Sequence, residues 1–287
     1  MQYKINMEDL KAILDMNRFF YKRFGLPVPI FDELITGFRW LMTSDTDSRM
    51  SLALRTEEAI QSEQYAALTQ ELYGMPVDEC IEVLFEQQDP HLRNIIVSLS
   101  NLMSKPLNTA AFLAQRGIVR TEGLNFCYQT EGKKVGLIGF GVYINRLLNR
   151  CEEFHVFDLR QPASILSCRY KNGLHQYPAG IHWHLGRNAV DFPEVLRTLD
   201  IVIMSGSTIV NNSYKALQKA CTRAQIIGLY GPSCELCPDY LFQQGFNYIF
   251  STSIKDKETY LKTALGYDQS YKEFDYMNVY ELVKKEG

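Results

Sequence analysis

The sequence predicts an α/β protein: a Rossmann-like, doubly wound parallel sheet in the C-terminal half, joined to a smaller α+β unit in the N-terminal half. Three observations carry this. VGLIGFG, Val135 to Gly141, is an apolar run that ends in two glycines, Gly139 and Gly141. An amphipathic stretch follows and leads to HVFDL, whose Asp158 stands 19 positions beyond Gly139. This is the pattern of a strand, a glycine turn, a helix and a second strand ending in an acid, which brings backbone close to a phosphate or ribose. From Lys134 onward, short β-branched strands alternate with helical stretches, which implies a parallel sheet covered on both faces.

The chain has 287 residues, enough for roughly two domains of about 100–200 residues each. The expected division is 1–115 and 116–287. Hydrophobic residues make up 46% and supply two cores. A net charge of −3 excludes a strongly basic protein and, with it, nucleic acid as a partner. The seven cysteines are an odd count: Cys80, Cys127, Cys151, Cys168, Cys221, Cys234 and Cys237. The opening MQYKINMEDLKAIL carries charges where a signal peptide needs an apolar core. No run approaches the ~20 apolar residues of a membrane span. The expected setting is the reduced cytoplasm, with no membrane partner. The many scattered Phe and Tyr residues are explained by core packing, and a homodimer interface is their other use.

In chain order, Leu10, Ile13, Leu14 and Met16 to Phe20 mark an opening helix stopped by Gly25, Pro27 and Pro29. LITGFRWLMT, from Leu34, reads as a strand, Asp45 to Arg49 as a turn, and Met50 to Arg55 as the returning strand. Pro76 to Phe85 is a helix. Another starts with Asp89 as N-cap and Pro90 at the first helical position. Its Leu92, Ile95, Ile96, Leu99 and Met103 mark one buried face, and it ends near Lys105-Pro106. The segment to Lys133 reads as the domain crossing.

The second half opens with strand Val135–Ile138, a helix with Ile144, Leu147, Leu148 and Cys151 on one face, and strand His155–Phe157. Gln161 to Ala189 reads as long and irregular. Asp191 and Glu194 form a capping-box pattern. Strand Asp200–Met204, the loop SGSTIVNNS, helix Tyr214–Thr222, strand Ile226–Tyr230, the loop GPSCELCP and strand Tyr248–Ser251 complete the alternation.

In a parallel sheet, ligands bind beyond the C-terminal ends of the strands, near the topological switch point. Four segments follow strands directly and are expected to share that rim: Gly139-Phe140-Gly141, Asp158 to Arg160, Ser205 to Ser213, and Gly231-Pro232-Ser233. The glycine loop departs from the dinucleotide fingerprint, because Ile144 occupies the third small position. It serves as a nucleotide turn or as a structural tight turn. Asp158 either accepts from ribose hydroxyls or acts as a loop acid, and Arg160 is placed to pair with it. Ser205, Gly206, Ser207, Thr208 and Asn211 offer small donors and backbone N–H groups suited to an anion or carboxylate. The plainer use of that loop is N-capping by Asn211 or Asn212.

Cys234-Glu-Leu-Cys237 lacks the second C-x-x-C of a structural zinc site. It reads as incidental or as a redox pair. His182-Trp-His184 can present both imidazoles on one strand face, with Cys168 and His175 in the same segment. A metal site and plain surface histidines are the two readings.

The succession VGLIGFG, VFDL, LDIVIMSGSTIVNNSYKAL and IIGLYGPSCELCPDYLFQQGFNYIFSTSIKD resembles the "putative heavy-metal chelation" family. That family joins an enolase N-terminal-like domain to a Rossmann-like domain. Gly206, Thr208, Val210 and Asn211 match its first loop, Gly231, Pro232 and Ser233 its second, and Asp256 its late acid. Asn212 stands where the family has Gly, and Cys234 to Leu236 differ. In the N-terminal half, ITGFRWLMT and MSLALR are similar to the family's opening hairpin. HLRNIIVSLSNLMSKPLN, with Asn101 and Asn108, is similar to its small-residue helix. The resemblance implies a site between the two domains and a metal or metal chelate as ligand.

The expected function is binding of a small anionic or metal-chelating ligand in that cleft, in heavy-metal or cofactor metabolism. The alternative is an enzyme using NAD(P) or S-adenosylmethionine, with Asp158 on the ribose. No general acid or base is legible.

Overall fold

The structure is a computed structural model describing residues 7–37, 39–55, 62–124, 129–139, 141, 147, 150–165, 169–171, 174–176, 179–186, 192–264 and 276–285. Helix α1 (Glu8–Phe24) has acids in its first turn and Lys22 and Arg23 in its last, matched to the helix dipole. It stops at Gly25, whose φ of +64° suits a left-handed cap.

Strands β1 (Phe31–Thr36), β2 (Trp40–Asp45) and β3 (Met50–Leu54) form an antiparallel sheet in that order. The stretch expected to be one strand from Leu34 is therefore two. The chain reverses at Gly37, whose N–H donates to the Trp40 carbonyl at 2.8 Å. The Asp45–Arg49 turn forms as expected. Asp45 Oδ1 accepts from the N–H of Asp47 at 3.1 Å and of Arg49 at 2.9 Å.

Helix α2 (Ser62–Leu72) follows, unread in the sequence, then α3 (Val77–Glu86) and α4 (Arg93–Ser104). Asp89 caps the short 3-10 turn that leads into α4, accepting from His91 N–H at 2.9 Å. The apolar spacing of α4 predicted one buried face, but every residue from Arg93 to Ser104 is buried. The helix is enclosed by α1, α3, β2 and β3. Two of its serines find internal partners: the Ser98 hydroxyl lies 2.9 Å from Thr43 Oγ1, and Ser104 Oγ donates to the Ser100 carbonyl at 2.7 Å.

After α5 (Ala110–Ala114), the expected crossing segment contributes β4 (Ile118–Glu122) to the large sheet. Next come β5 (Lys134–Ile138), β6 (Glu153–Asp158), the hairpin β7 (Arg169–Lys171) and β8 (Leu174–Gln176), β9 (His182–Leu185) and α6 (Phe192–Leu196). They are followed by β10 (Ile201–Ser205), the single turn α7 (Ser207–Val210), α8 (Tyr214–Ala220), β11 (Ile226–Tyr230) and α9 (Pro238–Gln243). The chain ends with β12 (Tyr248–Ile254), α10 (Lys257–Ala264) and β13 (Met277–Lys284).

The eight-stranded order is β4-β13-β12-β11-β10-β5-β6-β9. Strands β12 through β9 run parallel, while β13 is antiparallel to both of its neighbours, β12 and β4. From β5 the chain steps outward through β6 and β9, then returns to build β10, β11 and β12 on the other side. The switch point therefore lies between β5 and β10. The segment expected to be irregular after Gln161 holds β7, β8 and β9, the last paired with β6. Ile144, Leu148 and the Asp191 cap lie outside the described residues. Among those described, no helix is long and apolar enough to cross a membrane.

Alternation along the parallel strands splits the core. Val135, Leu137, Val156, Ile201 and Ile203 pack on one face. Phe157, Val202, Met204, Leu229 and Ile249 join the same cluster as Leu99, Leu102 and Met103 of α4. One sheet face is thus continuous with the N-terminal core.

Candidate functional site

The four expected loops leave β5, β6, β10 and β11 at their C-terminal ends and so lie on one rim. Gly139 has φ +87°, and a Cβ there would stand 2.7 Å from the Ser205 Cβ. A Cβ on Gly141 would collide with the Tyr230 hydroxyl. Two adjacent loops thus touch through glycine backbone. Tyr230 Oη donates to the Gly139 carbonyl at 2.7 Å. Burial pushes its phenol pKa up, which keeps the proton in place. Sequence reasoning missed Tyr230; its position as the last residue of IIGLY, facing the glycine turn, was the available signal. Phe140 lies outside the described residues.

Asp158 is buried, and Arg160 wraps around its carboxylate. Oδ1 accepts from Arg160 N and Nε, both at 2.9 Å, and Oδ2 from Nη2 at 2.7 Å. The Arg160 side chain is 53% exposed, so this corner presents a guanidinium to solvent. The pairing expected from the sequence is present.

In the Ser205–Ser213 stretch, α7 replaces an open loop. Thr208 Oγ1 donates to the Ser205 carbonyl at 2.7 Å, and Ser205 Oγ accepts from Ser207 N–H at 3.3 Å. Asn211 Oδ1 accepts from Ser213 N–H and Oγ, at 3.1 and 2.7 Å. Asn212 has φ +59°, a left-handed position that glycine and asparagine both tolerate. Gly206 lets this turn press on the next loop, since a Cβ there would lie 3.0 Å from Cys234 N.

Part of the rim is a seam against the N-terminal unit. Ser233 Oγ accepts from Leu54 N–H at 2.9 Å. The Asn101 amide donates to the carbonyls of Leu52 at 2.8 Å and Pro232 at 3.3 Å. The Asn108 amide donates to those of Glu235 and Leu236. Arg93 Nη1 donates to Asp9 Oδ1 at 2.9 Å, and its Nε and Nη2 donate to the Ile209 carbonyl. Lys105 Nζ donates to both Glu235 oxygens and, at 2.7 Å, to Ser253 Oγ. In the sequence Lys105 marks only the end of a helix, and Arg93 carries no sign of its role. Gly206, Thr208 and Ser233 are buried, Gly139, Gly141, Ser205, Ser207, Gly231 and Pro232 are half-buried, and Asn211 is exposed. Asp256, the late acid, accepts from Thr259 N–H at 2.7 Å and caps α10. The side-chain oxygens of Asn101 and Asn108 are buried without a hydrogen-bond partner, which is costly unless a donor reaches them.

Cys234 and Cys237 are buried thiols. Cys234 Sγ donates to the Gly231 carbonyl at 2.9 Å, and burial pushes the Cys237 thiol up to about 12. Neither is poised as a thiolate.

A second polar cluster sits at the sheet edge. Glu153, His155 and His182 each offer a ligand atom, all within 4.8 Å of one another. His155 Nε2 lies 3.3 Å from Glu153 Oε2, and its Nδ1 lies 3.1 Å from His184 Nε2. Lys134 Nζ donates to Glu153 Oε1 at 2.6 Å. Burial lowers the His155 pKa and, with the neighbouring imidazoles, brings His184 to about 4. The sequence placed His182 and His184 on one strand face, but their partners on β6 required the sheet register. Cys168 and the side chain of His175 lie outside the described residues.

A family model described as "Putative heavy-metal chelation" matches residues 124–282, more than half of the chain. A DUF364-family protein of unknown function from Desulfitobacterium hafniense DCB-2 has a similar fold. It is 17% identical, with a TM-score of 0.64 over 97% of this chain and 98% of that one. Another, from Pyrococcus horikoshii, is 16% identical, with a TM-score of 0.64 over 95% of this chain and 98% of that one. No curated protein matches the chain.

Proposed function

The chain belongs to the DUF364 family, described as "Putative heavy-metal chelation", and from that membership we propose that it binds a small anionic or metal-chelating ligand at the sheet rim, beside the N-terminal unit. The boundary between the two units is placed after residue 115. The observation that carries this reading is the composition of the rim at the switch point. Half-buried Gly139, Gly141, Ser205 and Gly231 main chain shares this rim of the sheet with an exposed Arg160 side chain. The edge of the Arg160 guanidinium turned away from Asp158 suits carboxylate and phosphate oxygens, while the Gly139 and Gly231 N–H groups donate to the Phe157 and Phe250 carbonyls at 2.8 and 3.0 Å and hold the rim backbone in place. Metal chelators of the polycarboxylate kind carry such oxygens. Asn101 and Asn108 supply buried acceptors along the seam, suited to a ligand hydroxyl or a bridging water.

The geometry favours this over a nucleotide cofactor, because both Asp158 oxygens already accept from Arg160. A ribose diol would have to compete with that charge-assisted pair.

The test is native mass spectrometry of freshly purified protein, followed by calorimetry with citrate, Ni2+-citrate and inorganic phosphate. One of these probes is expected to bind saturably, and Arg160→Gln is expected to weaken it at least tenfold while the thermal midpoint stays close to wild type. Absence of a retained small molecule together with no saturable heat would overturn the reading, as would full affinity in Arg160→Gln.

A further inference from the structure

We propose that the N-terminal end of β6 and β9 is a metal site separate from the rim, formed by Glu153, His155 and His182 for a borderline divalent ion of the Zn2+ class. The backbone places all three donors. His155 and His182 are register partners in the parallel pair β6–β9, so their side chains share a sheet face. Glu153 precedes His155 by two residues on the same strand and shares that face as well. The two imidazole rings are stacked, with centroids 4.6 Å apart.

The spacing suits coordination. A tetrahedral site with bonds of about 2.0–2.2 Å has ligand–ligand edges of roughly 3.3–3.6 Å. Glu153 Oε2 and His155 Nε2 are already 3.3 Å apart, and His182 stays within 4.8 Å of both. Two imidazoles and one carboxylate select zinc-like ions over Ca2+ and Mg2+, which take oxygen ligands. Three protein ligands leave a fourth position for water or a carried chelator. His182 is exposed, so an ion reaches the site from solvent.

An outer ring of contacts fixes the donors. Lys134 occupies Glu153 Oε1 and leaves Oε2 directed at His155. Its ammonium also offsets part of the carboxylate charge, which makes the site exchangeable rather than permanent. His155 Nδ1 faces His184 Nε2. Without an ion, His155 Nε2–H donates to Glu153, and His184 Nε2–H donates to His155 Nδ1. With an ion on Nε2, His155 carries its proton on Nδ1 and donates it to His184 Nε2, while His184 takes the Nδ1–H tautomer. Two ring protons are present before and after, so the exchange balances between neutral rings.

Glu153 and Asp158 stand at opposite ends of β6, about 16 Å apart at the usual strand rise. The metal site therefore stands or falls independently of the rim.

The test uses the full chain without an affinity tag, stripped with chelator, then titrated with Co2+ and Zn2+. One equivalent of Co2+ is expected to give the visible absorption of tetrahedral coordination and to be displaced by Zn2+. Excess Mg2+ or Ca2+ should leave it unchanged. His182→Ala and Glu153→Gln are chosen because neither side chain is buried, and circular dichroism verifies their folding. Each should weaken Zn2+ binding at least tenfold in calorimetry, whereas the rim variant Arg160→Gln should bind Zn2+ as wild type does. Wild-type affinity in both edge variants, no one-to-one Co2+ spectrum, displacement by Mg2+, or loss of Zn2+ in Arg160→Gln would each overturn the proposal.

Discussion

Arg93 is fully buried and spends its guanidinium on Asp9 and on the Ile209 carbonyl. Tyr214 Oη donates to the second Asp9 oxygen at 2.9 Å. Arg93→Met would leave Asp9 charged in the interior without its counter-ion. The expected loss is about 3–5 kcal/mol of unfolding free energy, read by urea denaturation. Adding Asp9→Leu should recover much of it, since removing both charges is far cheaper than stranding one. His184 supplies a pH dependence in metal-free protein. It faces His155, Phe157 and, electrostatically, His182. Its pKa is about 4 in the folded chain against about 6.5 when unfolded. Between those values the unfolded chain binds the extra proton, so stability falls as pH drops from about 6.5 to about 4 and this contribution then levels off. Thermal midpoints measured across that window should fall less steeply in His184→Gln than in wild type. Neither partnership is legible in sequence: Arg93 and Asp9 are 84 residues apart, and nothing in RNIIVSLS marks its arginine as internal.

At the scale of elements, the sequence was readable where an element is simple in environment. Strands β5, β10 and β11 are short apolar runs buried on both faces, and that pattern has few other meanings. Strand β13 carries no such signature, and β9 shows only the alternation of its histidines inside a segment that reads as irregular. HWHL puts polar rings at alternate positions on a sheet edge, and MNVYELVK carries Glu281 inside the sheet, where Oε1 accepts from Tyr248 Oη at 2.8 Å. Helix α4 shows the converse. Its 3.6-residue spacing is real, but its serines and asparagines are as buried as its leucines. Strand β13 separates β12 from β4 and pairs with both. Deleting residues 277–287 should open two strand edges and send most of the expressed protein to the insoluble fraction. A soluble truncated chain with an unchanged thermal midpoint would contradict this role.

For the molecule as a whole, the two sheets share a continuous core through Leu99, Leu102, Val202 and Leu229. The seam adds hydrogen bonds from Ser233, Asn101 and Asn108. Ser233, which the sequence offered for ligand contact, is therefore also part of what holds the halves together, and the ligand and metal titrations above belong at this scale because they ask which surface remains for binding. The sequence by itself determined the parallel sheet, the glycine turn at Gly139 and the shared rim, because strand periodicity, turn chemistry and the βα alternation are local properties. Only the tertiary structure decided that Tyr230 bonds the glycine loop and that Glu153 and His155 stand beside His182. Those pairings depend on which strands become neighbours and in what register, and that follows from burying both sheet faces at once rather than from any local run of residues.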